Sequence, residues 1–119
     1  MKNRSSRAAK AREFSTKARK EIFMRDKGSC IFCSKLYRMT ETAGIATEII
    51  QVMHYVPRSK NGLGIPQNGA LGCVYHHQMM DNGNEGFRKE MLDIFREYLK
   101  SKYPDWNEEE LTWNKWRRE

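Results

Sequence analysis

The three cysteines and three histidines of this chain fall into one arrangement. Cys30-Ile31-Phe32-Cys33 is a C-x-x-C knuckle, and Cys73-Val74-Tyr75-His76-His77 follows well downstream. Two closely spaced pairs, Cys30/Cys33 and Cys73/His76, have the spacing with which structural zinc sites surround one tetrahedral ion. A C-x-x-C pair alone would also suit thiol redox chemistry. That reading has no use for Cys73 and His76, and no alternating βα pattern surrounds the motif. The odd cysteine count argues the same way, because a disulfide framework would leave one thiol over, whereas three thiolates and a histidine close a zinc site.

Two histidines remain unspent. His54 stands at the end of a β-branched run, just ahead of Pro57, Arg58 and Lys60. His77 stands on the helix expected to open at the second knuckle. If strand, loop, strand and helix stack, both face one cleft. One could then take a proton from water while the other holds a divalent cation against a phosphate. Asp81, four residues beyond His77, shares its helix face and would complete a two-ligand seat for Mg²⁺ or another divalent cation such as Mn²⁺ or Ni²⁺. Asp81 reads equally well as a helix stop before Asn82-Gly83, and both readings stand.

The elements that must position these residues follow from pattern. Residues 1–14 read as a disordered basic arm carrying Arg4, Arg7, Lys10 and Arg12. The remainder, 15–119, reads as one domain. Ser15 or Thr16 caps a helix to about Asp26, stopped by Lys27-Gly28. Residues 34–46 read as a loop or irregular hairpin. Thr47–Val56 is expected as a strand closed by Pro57, Ala70–Cys73 as a second strand, and Tyr75–Met80 as a short helix. Between the strands, Asn61-Gly62, Gly64 and Pro66 mark a loop. From Phe87 to Lys102, Phe87, Met91, Ile94, Phe95, Tyr98 and Leu99 recur at helical spacing and read as core. Asn107 is expected to cap a last helix bearing Leu111, Trp113 and Trp116, so that a C-terminal helical extension runs over about 87–116.

Composition sets the class of partner. The formal net charge is +7, with 39% hydrophobic and 31% charged residues, and the sequence pI is about 9.5. A chain of 119 residues with this balance buries a thin core, which a metal would staple. Its charge favours a polyanion, nucleic acid first. Arg4, Arg7, Lys10, Arg12, Arg58 and Lys60 are the candidate phosphate contacts, although any one of them alone reads as a solvated charge. No apolar run is long enough to span a membrane, no signal-peptide pattern precedes the arm, and reduced cysteines fit a cytoplasmic location.

Taken together, His54-Tyr55-Val56-Pro57-Arg58-Ser59-Lys60-Asn61-Gly62, Asn68-Gly69-Ala70-Leu71 and Cys73-Val74-Tyr75-His76-His77 resemble the HNH endonucleases over about residues 18–82. The resemblance implies an α+β fold with a ββα-metal core, a zinc knuckle and flanking helices, and metal-dependent hydrolysis of DNA phosphodiester bonds. It implies His54 as general base and Asn68 as the residue that braces the loop and orients His54 through backbone hydrogen bonds. It implies His77 as ligand of the catalytic cation, and Cys30, Cys33, Cys73 and His76 as zinc ligands. It also implies a phage-like or mobile-element-like setting in a bacterial cytoplasm. The family usually places an acidic residue or histidine before the first histidine. Met53 stands there, and a thioether is a poor ligand for a hard cation. Either Asp81 compensates, or metal binding leans on phosphate and water, or the chain is a zinc-containing DNA-binding module without catalysis. On the first reading Met53→Asp restores a family-type ligand. A further reading makes the chain an accessory whose Trp113 and Trp116 dock a protein partner.

Overall fold

A computed structural model describes residues 7–82 and 86–114, without the side chains of residues 41 and 42. Arg4 and Trp116 lie outside the described residues. Within them the fold is α+β, with one two-stranded antiparallel sheet surrounded by helices.

Local chemistry sets the first elements. Helix α1 spans Arg7–Arg12 and α2 spans Thr16–Arg25. The Ser15 hydroxyl caps α2 by accepting from the Ala18 N–H at 3.0 Å, which satisfies one of the donors a helix start leaves open. Lys27 and Gly28 follow the helix with φ of 58° and 70°, the left-handed exit that glycine takes without strain. Cys30 then caps the single turn α3, Ile31–Ser34. Residues 41–47 form a 3-10 turn kinked at Gly44.

Strand β1, Ile50–His54, pairs with β2, Gly69–Cys73, in the register Ile50↔Cys73 to His54↔Gly69. Both strands are close to their expected positions, with β1 shorter than expected at both ends. Alternation along them divides the core. Met53 and Ala70 join a cluster with Met80 of α4 (Val74–Asn82) and Met91, Phe95 and Leu99 of α5 (Arg88–Lys102). Leu71 instead packs with Phe14, Ala18 and Ile22 from the N-terminal segment and α2. The sheet therefore lies between α2 on one side and α4 with α5 on the other.

Two segments differ from the sequence expectation. Residues 7–12, expected within a disordered arm, form α1, and Gly64 N–H donates to the Ala11 carbonyl at 2.8 Å. The last helix, expected to carry Trp113, is only a 3-10 turn at Glu108–Leu111, although Asn107 caps it as expected. Beyond it the backbone finds partners elsewhere. Leu63 N–H donates to Leu111 O and Trp113 N–H to Asn61 O, each at 2.7 Å, so the chain runs extended against the loop that follows β1. These bonds replace helical ones, and half-buried Trp113 sits on no helix face.

A buried polar link ties α2 to the rest. The Asp26 carboxylate accepts from the Leu71 N–H at 2.8 Å, from the Arg25 guanidinium and from the Tyr98 hydroxyl. Arg25 also donates to the carbonyls of Pro66 and Gly69 at 2.8 and 2.7 Å. Burial, with the hydrogen bond to Asp26, pushes Tyr98 up to about 12. The network fixes the start of β2, and with it the run that leads to Cys73.

Candidate metal centre and adjoining cleft

The knuckle of α3 and the junction of β2 with α4 bring Cys30, Cys33, Cys73 and His76 together, with their ligand atoms all within 4.8 Å of one another. The separations can be tested against an ion. Tetrahedral zinc with bonds of ~2.3 Å to sulfur and ~2.0 Å to nitrogen sets edges of about 3.8 Å for S···S and about 3.5 Å for S···N. Cys33 Sγ lies 3.7 Å from Cys73 Sγ. His76 Nδ1 lies 3.6, 3.5 and 3.3 Å from the sulfurs of Cys30, Cys33 and Cys73. These four separations match edges of such a tetrahedron.

The surroundings suit the same ion. His76 Nε2–H donates to the Tyr37 carbonyl at 2.7 Å, which turns Nδ1 with its lone pair toward the sulfurs. The N–H groups of Cys33 and His76 point at the sulfurs of Cys30 and Cys73, each at 3.4 Å. Burial, reinforced by the neighbouring thiols, drives the Cys33 thiol far above its ordinary range. Burial alone would lower His76, but its contacts with Cys30 and the Tyr37 carbonyl hold it above the usual histidine value. Three thiols crowded around an imidazole are a poor protein interior by themselves, and a divalent ion relieves the repulsion among their thiolates.

A second set of side chains lines a cleft of about 200 Å³ along β1. Val52 and His54 come from the strand, Pro57 and Arg58 from the following turn, His77 and Asp81 from α4, and Arg88 from α5. The sequence paired His54, His77 and Asp81, and the fold brings all three here. His54 Nε2–H donates to the Arg12 carbonyl at 2.8 Å, and the Phe14 ring packs on the imidazole with centroids 4.3 Å apart. Burial pulls His54 below the ordinary histidine range, the Arg12 carbonyl opposes this, and the charges of Arg58 and Arg19 lower it further. With Nε2–H given to the Arg12 carbonyl, the neutral ring carries its lone pair on Nδ1.

On the other wall, His77 Nδ1 lies 2.7 Å from Gln51 Oε1, and His77 Nε2 lies 3.1 Å from Asp81 Oδ2. With Nδ1–H given to Gln51, the Nε2 lone pair faces an Asp81 carboxylate oxygen, where a shared proton or a bound cation would join the two. An octahedral cation with bonds of ~2.1 Å has ligand edges of about 3.0 Å, so the pair fits adjacent positions on one ion. The Arg88 guanidinium lies 3.8 Å from the other Asp81 oxygen.

The remaining candidates are placed as follows. Asn68 is fully buried and its amide bonds to Val56 and Leu63, so it braces the loop. Arg58 and Lys60 are exposed on a 3-10 turn. Arg7 and Lys10 are exposed on α1. Arg12 directs its guanidinium at the carbonyls of Ala8 and Arg58. Met53 is fully buried and lies across Gly72, where an added Cβ would come within 2.2 Å of its sulfur. Three lining or supporting residues went unseen in the sequence: Gln51, Phe14 and Arg88. Gln51 had a signal, since alternation sets it on the Met53 face toward α4. Phe14 and Arg88 reach the cleft only through tertiary packing.

No protein-family model, curated protein or solved structure matches the chain. Among the described residues, no helix is long and apolar enough to cross a membrane.

Proposed function

We propose that this chain is a metal-dependent DNA endonuclease of the HNH type, built on a ββα-metal core with a structural zinc. One observation carries the reading: His54 and the His77–Asp81 pair line one cleft together with Arg58 and Arg88. The order of elements supports it, since an antiparallel hairpin leads directly into the helix that bears His77.

In this reading His54 Nδ1 takes the proton of a water that attacks the scissile phosphorus. His77 Nε2 and Asp81 Oδ2 hold a divalent cation such as Mg²⁺, Mn²⁺ or Ni²⁺, which supplies charge stabilisation at the phosphate and the leaving oxygen. Two protein ligands leave the other positions to water and phosphate, the usual way Mg²⁺ is held. Arg58 and Arg88 bind the flanking phosphates and hold the strand in place. Cys30, Cys33, Cys73 and His76 hold zinc, which fixes the start of α4 and so the direction of His77.

The runner-up is a zinc-containing DNA-binding module without catalysis. Buried Met53 favours it, because it offers the cation no ligand. A plasmid-nicking assay separates the two. Nicking that requires added Mg²⁺, Mn²⁺ or Ni²⁺, stops with EDTA and falls at least ~10²-fold in His54→Ala supports the endonuclease. DNA binding without nicking under any of these ions supports the module.

A further inference from the structure

We infer that the segment preceding α2, residues 7–14, is a working part of the cleft: through the Arg12 carbonyl and the Phe14 ring it positions His54. This rests on the endonuclease reading for its consequence, though not for its geometry.

The ring of His54 is held from two sides by this segment. Its Nε2–H donates to the carbonyl of Arg12, the last residue of α1. The Phe14 ring, itself buried, covers one face. A hydrogen bond from one ring nitrogen selects the tautomer and leaves the other nitrogen basic. Here that bond leaves Nδ1 as the base. Asn68 cannot do this, because its amide is committed to Val56 and Leu63. The acceptor is supplied from 42 residues upstream of His54.

The loop between the strands is shaped to receive this segment. A Cβ on Gly64 would come within 2.2 Å of the Glu13 carbonyl, and a Cβ on Gly69 within 2.5 Å of the Phe14 ring. Both glycines are bare where residues 13 and 14 pass. Gly64 N–H donates to Ala11 O at 2.8 Å, and Arg12 Nη1 donates to the Arg58 carbonyl at 3.2 Å. A segment serving only as a loose electrostatic arm needs none of these seats. Arg12 and Phe14 are therefore positioning residues, and His54 is the catalytic residue they act through.

Two substitutions in the full chain test this. Gly64→Ala pushes the segment off its seat. Glu13→Pro acts at an exposed site and drives Arg12 from helical to extended backbone, which swings its carbonyl away. The first readout is the His54 imidazole N–H proton by NMR, above the histidine titration range. In the parent it should be visible and slow to exchange, and in both variants it should be lost to solvent exchange. The second readout is the steady-state split: kcat should fall ~10-fold or more while KM for DNA stays within about twofold. If Gly64→Ala does not fold, Glu13→Pro decides. An N–H unprotected in the parent, one retained in the folded variants, or a loss confined to KM would overturn the inference. If the parent cleaves no DNA, the endonuclease reading fails, and the N–H protection still decides whether the segment holds the ring.

Discussion

The side-chain amide of Asn68 pairs with the backbone of Val56 as a neighbouring strand would. Asn68 Oδ1 accepts from the Val56 N–H at 2.8 Å, and Nδ2 donates back to the Val56 carbonyl at 3.1 Å. Nδ2 also donates to the Leu63 carbonyl at 2.8 Å, and the Asn68 carbonyl accepts from the Tyr55 N–H at 2.8 Å. One fully buried residue thus closes the loop just past the paired strands, beside the strand end that carries His54.

Asn68→Ala should therefore be costly. It strands the polar groups of Val56 and Leu63, at about 1–3 kcal/mol for each one left unsatisfied. A loss of roughly 3 kcal/mol is expected, visible as a Tm lowered by ten degrees or more in thermal unfolding. Asn68→Asp should not rescue it, because the carboxylate loses both donors and buries a charge. An unchanged Tm in Asn68→Ala would mean that the loop is held without this amide.

Purified protein should carry about one zinc per chain, measured by elemental analysis. Cys73→Ser should lose the ion and the cooperative unfolding transition, because metal binding in such sites contributes ~10 kcal/mol or more to folding. Cys73 is fully buried at the junction of β2 and α4, so the damage should spread to His77. Chelation of the parent should give the same result. A metal-free protein with the parent's Tm would contradict the tetrahedral fit of the four groups.

The pH profile should carry the mark of a lowered His54. Its basic form appears as pH rises through a value below the ordinary ~6.5 of free histidine, so the acid limb of kcat/KM should have its midpoint below that value. Stability follows the same sign. A group held lower in the folded state contributes stability that is fully present above the unfolded value and is lost as pH falls through the folded one. His54→Gln should flatten that limb and remove its share of the acid destabilisation. A midpoint above the ordinary histidine value would rule out the buried, neutral imidazole as base.

Much of this arrangement was legible in the sequence, for a physical reason. The candidate metal ligands announce themselves because two short spacings fix local geometry, and the α5 face because its period is strong over many residues. His54, His77 and Asp81 could be paired because strand end and helix face follow from period alone. What could not be read depends on where backbone groups find partners across the fold. The basic residues near the start suggested a free arm, yet Gly64 and Gly69 leave room for it to dock as α1 and Phe14. The last helix was lost because Asn61 and Leu63 offered its backbone other partners. Arg12, read from its side chain as a phosphate contact, matters in the fold through its carbonyl.

Asp81 and Met53 give the sharpest test of the cation seat. Asp81 Oδ2 and His77 Nε2 sit 3.1 Å apart on one helix face, while the Met53 side chain is sealed over Gly72 in the core. On the endonuclease reading, Asp81→Ala removes one of two protein ligands. It should raise the Mg²⁺ or Mn²⁺ concentration needed for half-maximal nicking by ~10-fold or more, the scale of one lost ligand contact of about 1.4 kcal/mol, and excess metal should partly restore the rate. The sequence suggested that Met53→Asp would supply a missing ligand and lower the metal requirement. The packing leads to the opposite expectation. A carboxylate at this position enters the cluster formed with Met80, Met91 and Phe95, where an unpaired charge costs several kcal/mol. Met53→Asp should lower Tm sharply with no gain in metal affinity, whereas Met53→Leu should keep both Tm and metal dependence close to the parent. Zinc content should be unchanged in Asp81→Ala, which separates the cleft from the Cys₃His centre. If Asp81→Ala leaves the metal titration where it was, Asp81 is the stop of α4 and nothing more, and the cation, if the chain uses one, is held by His77 with water and phosphate alone.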